Sequence, residues 1–176
     1  MSTQAMIKFL RGNGVGELMH DSHVPFLEHL TGTRRLLQQW GAREALADAG
    51  LFHSVYGTEF FALGEGVTIP TRDDVQALIG VDAEEVAWLW CTIERFSLDP
   101  SSGLATNRVN GSSMTLAPSR VEDIANLWAA DTVEQIARMA PDERSFARGA
   151  ERLVDQMLPA ARSSLATALA TSPVDA

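Results

Sequence analysis

Apolar residues recur at helical spacing through the first third of the chain. One stripe advances in steps of four, three, four and three residues, which keeps its members on one face of a helix. Pro25 suits the first turn of such a helix, and Gly41 is a common C-terminal signal. The pattern therefore predicts a helix that begins between residues 22 and 25 and ends at Gly41. The stripe consists of Phe26, Leu30, Thr33, Leu37 and Trp40.

A second segment, from Arg43 to Ser54, is apolar nearly all round. Such a composition is typical of a central, buried helix. Each of these two predicted helices carries a histidine close to a glycine: His29 with Gly32, and His53 with Gly50. Small residues let two helices approach closely, so both imidazoles could face one point. Bundles build metal sites in this way from helices that are distant in sequence.

The rest of the chain adds further helices and little else. Helix starts are indicated at Thr71, at Asp82 and at Ser119, each followed three residues later by an acidic partner. Asn110-Gly111 predicts a short hairpin between Arg108-Val109 and Met114–Leu116. The prediction is an all-α bundle of about six to eight helices with at most one short β-hairpin. Further predicted segments are a glycine-broken helix over 3–19, helices over 118–139, from 141 and over 160–170, one domain over 1–170, and a disordered tail over 171–176.

Charge and composition limit the classes of partner that are expected. The 176 residues carry a net charge of -9, which argues against a nucleic-acid backbone or an anionic membrane as partner. No apolar run approaches the roughly 18 residues of a membrane span, so a cytoplasmic protein is expected. The single cysteine, Cys91, lies in an apolar segment and is expected to be a core residue. A small-molecule substrate remains the expected partner, and a local cluster of arginines would allow it to be anionic.

The two histidine segments resemble a known superfamily. Ala49 through Ser54 reads Ala-Gly-Leu-Phe-His-Ser, and His29 stands in Leu-Glu-His-Leu. This pattern resembles the HD-domain superfamily of metal-dependent phosphohydrolases and oxygenases. It is most similar to an uncharacterised HD-like group with the pattern "HS…LLEHL.GT…AGLFHS.YGTE", and the likeness covers about the first third of the chain. The resemblance implies a helical fold with His29 and His53 as metal ligands.

One departure from the superfamily changes the expected metal count. Ser54 stands where the superfamily has the aspartate that bridges two metals. A hydroxyl is a much poorer ligand for a hard divalent cation than a carboxylate. We therefore expect one metal per chain. Two or three histidines with one carboxylate suit Fe, Mn, Zn or Co.

The superfamily takes its last carboxylate from a later helix, and this chain offers two candidates. Glu122 and Asn126 share a helix face, and their spacing resembles the Asp-x-x-x-Asn of the guanosine-tetraphosphate hydrolase branch. Asp131 is the rival, on an apolar face where a carboxylate is costly unless paired or coordinated. Glu122 is preferred because it stands near a helix end, as His53 does. His23, in preference to His20, is the candidate for a further imidazole.

The function expected first is a metal-dependent hydrolase of a small phosphorylated or nucleotide-like molecule. Glu59 is the candidate general base and Tyr56 a second catalytic candidate. An HD-like non-heme iron oxygenase acting on a small organic substrate is the first alternative. A non-catalytic, metal-free bundle that binds a ligand or partner is the second, favoured by Ser54. The candidate substrate contacts are Arg34, Arg108 and Asn126.

Overall fold

The computed structural model describes residues 2–20, 24–64, 66–139 and 144–171. In these ranges the chain forms eight α-helices and two short antiparallel strand pairs, which confirms the expected all-α class with minor β structure. The helices are α1 (Thr3–Gly12), α2 (Phe26–Gln39), α3 (Glu44–Phe52), α4 (Arg72–Ile79), α5 (Val81–Thr92), α6 (Pro118–Gln135), α7 (Arg144–Gly149) and α8 (Pro159–Thr171). The strands are β1 (Met19–His20), β2 (Val24–Pro25), β3 (Leu104–Thr106) and β4 (Ser113–Thr115).

Helices α2, α3, α5 and α6 surround the main core. The apolar stripe of α2 is buried, with Phe26, Leu30 and Leu37 each at most 1% exposed. Almost all of α3 is buried, as its apolar composition predicts. On its other sides, α6 packs against α8 and the 3₁₀ segment Ala150–Gln156, while α4 packs against α5.

Two glycines allow the close approach of α2 to its neighbours. A Cβ atom added at Gly50 of α3 would lie 2.6 Å from Leu37 Cδ1 of α2. One added at Gly32 of α2 would lie 2.7 Å from Glu134 Cγ of α6. Both distances are far below van der Waals contact, so any larger residue would push the helices or these side chains apart.

Helix α6 ends at Gln135 rather than at residue 139, and it starts without the side-chain cap that the sequence suggested. Pro118 occupies the first turn and Ala117 the N-cap position, without a side-chain cap. The expected capping box of Ser119 and Glu122 therefore does not form. The one at Thr71 and Asp74 does form, at the start of α4.

Several boundaries differ from the predicted ones. Helix α1 ends at Gly12 rather than near residue 19, because the glycine-rich stretch passes into a 3₁₀ turn over Val15–Glu17. The hairpin pairs Leu104 with Thr115, so Arg108 and Val109 lie in the connection and not in a strand. The pair β1–β2 was not predicted.

Three expectations concern residues outside the described ranges. The earliest expected start of α2, at residue 22, and the helix start at residue 141 both lie outside them. Helix α8 continues to Thr171, and the remainder of the expected tail, 172–176, is likewise outside. Among the helices described, none is both long and apolar enough to cross a bilayer.

Candidate metal centre

Three side chains from α2, α6 and the end of α3 converge in the interior. His29 Nε2 lies 3.2 Å from His53 Nε2 and 3.1 Å from Asp131 Oδ1, and His53 Nε2 lies 3.3 Å from the same oxygen. The two histidines are each 1% exposed and Asp131 is 5% exposed. Two imidazole nitrogens and one carboxylate oxygen therefore form a nearly equilateral triangle away from solvent.

The far side of each imidazole is fixed by a separate acceptor. His29 Nδ1 donates to Glu134 Oε2 at 2.5 Å, and His53 Nδ1 donates to the carbonyl oxygen of Gly50 at 2.7 Å. A histidine that donates from Nδ1 can present the lone pair of Nε2 to a cation, and such outer partners are the rule for metal-binding imidazoles. Both rings are thus oriented with Nε2 toward the shared point.

The triangle has the dimensions of a set of metal ligands. Ligands about 2.1 Å from a transition metal are separated by roughly 3.0 Å in octahedral and roughly 3.4 Å in tetrahedral geometry. The three observed separations, 3.1, 3.2 and 3.3 Å, lie between these values. Within the described residues these three form the one group of His, Cys, Asp and Glu atoms close enough to hold an ion. The donor set fits a divalent transition metal.

Charge at the cluster is balanced by a proton when no metal is bound. Burial disfavours the charged form of His29, but hydrogen bonds to Asp131 and Glu134 outweigh it and raise the pKa of His29 to about 9. Burial likewise opposes the charge on Asp131, and hydrogen bonds from both histidines lower the pKa of Asp131 well below its usual range. Near neutral pH the cluster therefore holds a carboxylate and an imidazolium, so a metal would replace a proton.

Local structure explains how these groups meet. His53 is the residue after the last turn of α3, where Cys91 Sγ contacts its carbonyl oxygen at 3.1 Å. Its ring also packs edge-on against Trp90 of α5, with the centroids 5.8 Å apart. Asp131 and Glu134 are three residues apart on α6, so they share the face that meets α2. Both acids therefore reach His29.

Gly32 leaves room for the side chain of Glu134. The side chain passes over the glycine, where there is no Cβ, and its carboxylate then reaches His29 one turn earlier on α2. Arg138 Nη2, in the turn that follows α6, binds the same carboxylate oxygen at 2.7 Å. The glycine near His29 thus serves a close approach, as the sequence suggested, although the helix that comes near is α6.

The geometry favours Asp131 over Glu122 as the carboxylate. Glu122 is exposed in the first turns of α6 and stands outside the cluster. Asn126 donates from Nδ2 to the carbonyl oxygen of Glu122 and accepts from the backbone N–H of Leu158, at 2.8 Å each. Asn126 therefore joins α6 to the start of α8, and neither of these bonds reaches the triangle. The preference for the helix end is corrected, because α6 brings its C-terminal half past both histidines.

The other metal-site expectations are placed as follows. Ser54 is buried next to His53 but supplies no atom to the triangle. His23 lies outside the described residues.

Arg34 and Arg108, the expected anion contacts, are used structurally. Arg34 donates to Asp48 from Nε at 3.0 Å and also pairs with Glu44, which ties α2 to α3. Arg108 donates to the carbonyl oxygens of Cys91 at 2.5 Å and of Gly57 at 3.0 Å. In each guanidinium these bonds engage Nε and Nη2, and a part for either arginine in binding an anion stays a prediction.

Tyr56 belongs to a separate buried network. Its hydroxyl donates to Glu84 Oε1 at 3.0 Å, and Arg72 binds both oxygens of the fully buried Glu84 at 2.6 Å. Burial and the Glu84 charge raise the pKa of Tyr56. A tyrosine held in this way supports the fold, and a catalytic part for Tyr56 stays a prediction.

Glu59 lies beside a buried arginine that sequence reasoning missed. Glu59 Oε1 is 3.2 Å from Nε of Arg95, which is only 2% exposed. Burial raises the pKa of Glu59 in spite of the opposing Arg95 charge. Glu134 was also missed, although its position three residues after Asp131 was a usable signal. No pattern in the sequence marks Arg95 as buried.

A surface pocket of about 690 Å³ adjoins the opposite side of Glu134. Its charged lining residues are Arg11, Glu28, Arg35, Glu134 and Arg138. Apart from Glu134 these side chains are exposed. The lining residues include Glu134 but none of His29, His53 and Asp131, so the pocket does not open on the triangle itself.

Comparison with known proteins adds a family match without a function. Residues 9–95 match the profile of a domain of unknown function, DUF6817. No curated protein and no solved structure matches the chain. The matched region contains His29 and His53 but ends before Asp131 and Glu134. The resemblance to the HD-domain superfamily therefore stays a prediction, and the chain is similar, over just under half its length, to an uncharacterised domain family.

Proposed function

We propose that the protein is a mononuclear metal-dependent hydrolase of a small phosphorylated molecule. One observation carries the proposal: His29, His53 and Asp131 present three ligand atoms 3.1–3.3 Å apart, with both outer imidazole nitrogens already engaged. Three protein ligands with further positions left for water or substrate are typical of catalytic rather than structural sites.

Each residue has a definite part in the proposal. His29, His53 and Asp131 would hold one divalent cation, and Glu134 would keep the His29 ring in orientation. A metal held there would act as a Lewis acid and lower the pKa of a water molecule toward about 7. Glu59 is the candidate proton acceptor, since its raised pKa makes it a stronger base than an exposed carboxylate.

The test begins with metal content. Purified protein loaded in turn with Mn, Zn, Co and Fe(II) should bind one metal per chain by elemental analysis, and His53→Ala should bind none. The loaded wild-type protein should then release inorganic phosphate from generic phosphomonoesters and nucleotides, whereas His53→Ala should not. Protein that binds no divalent metal under any loading would overturn the proposal and favour a metal-free binding bundle.

Ser54→Asp tests the metal count. We expect one metal in the wild-type protein because no bridging carboxylate stands at this position. A second metal in Ser54→Asp would support that explanation. Two metals in the saturated wild-type protein would contradict it.

The ligand set also supports one alternative. Two histidines and one carboxylate on a triangular face are the ligands of mononuclear non-heme iron oxygenases. Oxygen consumption by Fe(II)-loaded protein in the presence of small organic acids, absent in the Asp131→Asn variant, would replace the hydrolase proposal with an oxygenase.

A further inference from the structure

Arg95 is a buried cation enclosed mainly by aromatic rings. Its Cζ atom lies 4.1 Å from the ring centre of Trp90, 5.0 Å from that of Phe60 and 5.2 Å from that of Phe146. The residue is 2% exposed and sits in the 3₁₀ turn Arg95–Ser97. Rings attract a guanidinium but do not accept its hydrogen bonds in place of water, so this charge needs an anionic partner.

The one carboxylate paired with Arg95 in the described structure is a poor match. Glu59 Oε1 lies 3.2 Å from Arg95 Nε without an aligned hydrogen bond to it, and it accepts instead from the backbone N–H of Arg95 at 3.4 Å. Glu59 is itself partly exposed, on the segment that follows α3. A guanidinium usually binds an oxyanion through two parallel hydrogen bonds. The contact with Glu59 does not form such a pair of hydrogen bonds.

Two further buried donors, both on α6, have no hydrogen-bond partner among the described residues. These are Trp128 Nε1 and Thr132 Oγ1, one turn apart on α6. The Arg95 Cζ atom is 6.0 Å from the Trp128 ring centre. Arginine and the indole N–H are donors only, and the hydroxyl can also donate. A group of donors with one misaligned acceptor is complementary to a ligand rich in acceptor oxygens.

This region adjoins the metal centre. Asp131 lies between Trp128 and Thr132 on α6. Trp90 contacts the His53 ring and also the guanidinium of Arg95. A small molecule bound at Arg95 would therefore be separated from the metal ligands by about the width of one side chain.

We propose that Arg95 binds the oxyanion of the substrate, a phosphate ester, and that this group takes the place of the Glu59 carboxylate on the guanidinium. The assignment rests on the proposed function, because the substrate is the one turned over at His29, His53 and Asp131. Phosphate is favoured over a carboxylate because, with two oxygens bound to the guanidinium of Arg95, it keeps a further oxygen to accept from another buried donor.

The experiment is a titration of metal-free protein with inorganic phosphate, and with acetate as the carboxylate arm. Tryptophan fluorescence is a direct readout because Trp90 and Trp128 flank Arg95, and calorimetry gives the stoichiometry. We expect one saturable phosphate site and at least about tenfold weaker acetate binding. Tighter acetate binding would overturn the choice of a phosphate ester.

Variants separate this site from other arginines. Arg95→Met should abolish saturation and Arg95→Lys should weaken phosphate binding about tenfold or more, since an ammonium lacks the fork of donors. Glu59→Gln should strengthen phosphate binding, because the competing carboxylate is removed. Arg35→Met, in the surface pocket beside Glu134, is the matched control and should bind phosphate like the wild type.

The outcomes decide the two proposals separately. Unchanged affinity in Arg95→Lys and Glu59→Gln, affinity lost in Arg35→Met, or no saturable binding by the wild type would each overturn the Arg95 assignment. If circular dichroism shows that Arg95→Met does not fold, the phosphate affinities of Arg95→Lys and Glu59→Gln test the assignment. Metal stoichiometry, measured in parallel, should stay at the wild-type value in these two variants. A chain without metal but with an Arg95-dependent phosphate site would refute the hydrolase alone.

Discussion

Asp123 and Asp131 lie on the same helix and are equally buried, each 5% exposed, but their partners differ in kind. Asp123 Oδ2 binds Arg43 Nη2 at 2.6 Å and Arg120 Nη1 at 3.0 Å. Asp131 faces His29 and His53. Arginine keeps its charge at every physiological pH, whereas an imidazole can exchange its proton for a metal.

The comparison teaches that burial of an acid does not identify a functional site. What identifies such a site is a partner side chain that can lose its proton or bind a metal. The Asp123 end of α6 is a closed set of permanent ion pairs that holds α3, α5 and α6 together. The Asp131 end is a set whose charge balance admits either a proton or a metal.

The largest expected difference is between the two Asp→Asn variants. Asp131→Asn should lose stoichiometric metal binding, because an amide is a weak ligand for a divalent transition metal. Asp123→Asn should bind metal normally but lose about 1–3 kcal/mol of unfolding free energy, since the buried Asp123 carboxylate is the shared counter-charge of Arg43 and Arg120. Elemental analysis and urea unfolding measure the two effects.

Far-UV circular dichroism is the control for this pair, because both variants should keep the helical fold. Metal loss in Asp123→Asn with metal retained in Asp131→Asn would place the centre at the opposite end of α6 and contradict the assignment.

Much of this arrangement was readable from the sequence, and some was not. Helical periodicity identified α2 and α3, and glycine next to histidine pointed to helices in close contact. Asp131 was marked by its apolar face, where an unpaired carboxylate is costly. The sequence could not show how α6 crosses α2 and α3. It therefore did not reveal that the C-terminal half of α6, and not its first turn, lies beside His53, and Glu122 was preferred.

Arg95 illustrates a second limit. Its burial depends on Phe60 and Phe146, which are 35 and 51 residues away along the chain. An arginine between Glu94 and Phe96 carries no local sign of such an enclosure. Glu134 differs, because a helical spacing of three from Asp131 already places it on the same face.

The next largest effect is that of pH on metal affinity. The pKa of His29 is raised to about 9 in the metal-free protein, so between pH 7 and 9 metal must displace one proton. Metal affinity should therefore rise about tenfold per pH unit in this interval and level off above it, a change of about 100-fold. Calorimetry in buffers of different ionisation enthalpy should show the release of about one proton per metal at pH 7.

Stability supplies the control for that prediction. A raised folded pKa stabilises the metal-free protein fully below the ordinary histidine value of 6.5, and this contribution is lost as the pH rises through about 9. Asp123→Asn should keep this pH dependence, and His29→Gln should remove it. A wild-type metal affinity that is flat from pH 7 to 9 would contradict the proposed exchange.

Glu134 should matter less than the ligands themselves. Glu134→Ala removes the acceptor that orients His29, and loss of such an outer partner typically weakens metal binding 10–100-fold. Glu122→Ala is the matched control on the same helix, because Glu122 is exposed and outside the cluster. Competition with a chromophoric chelator measures both affinities, and equal effects of the two changes would remove Glu134 from the centre.

Gly32→Ala should have the smallest effect and a particular dependence on Glu134. The added Cβ would meet Glu134 Cγ at 2.7 Å and displace the carboxylate from His29, so we expect metal affinity to fall by less than tenfold. The fold itself should not suffer greatly, since alanine gains about 1 kcal/mol of helix propensity over glycine. If the change acts through this contact alone, Gly32→Ala should have almost no further effect on metal affinity in the Glu134→Ala background. Full additivity of the two substitutions would show that Gly32 acts by another route, such as the spacing of α2 and α6, and that its contact with Glu134 does not hold His29 in place.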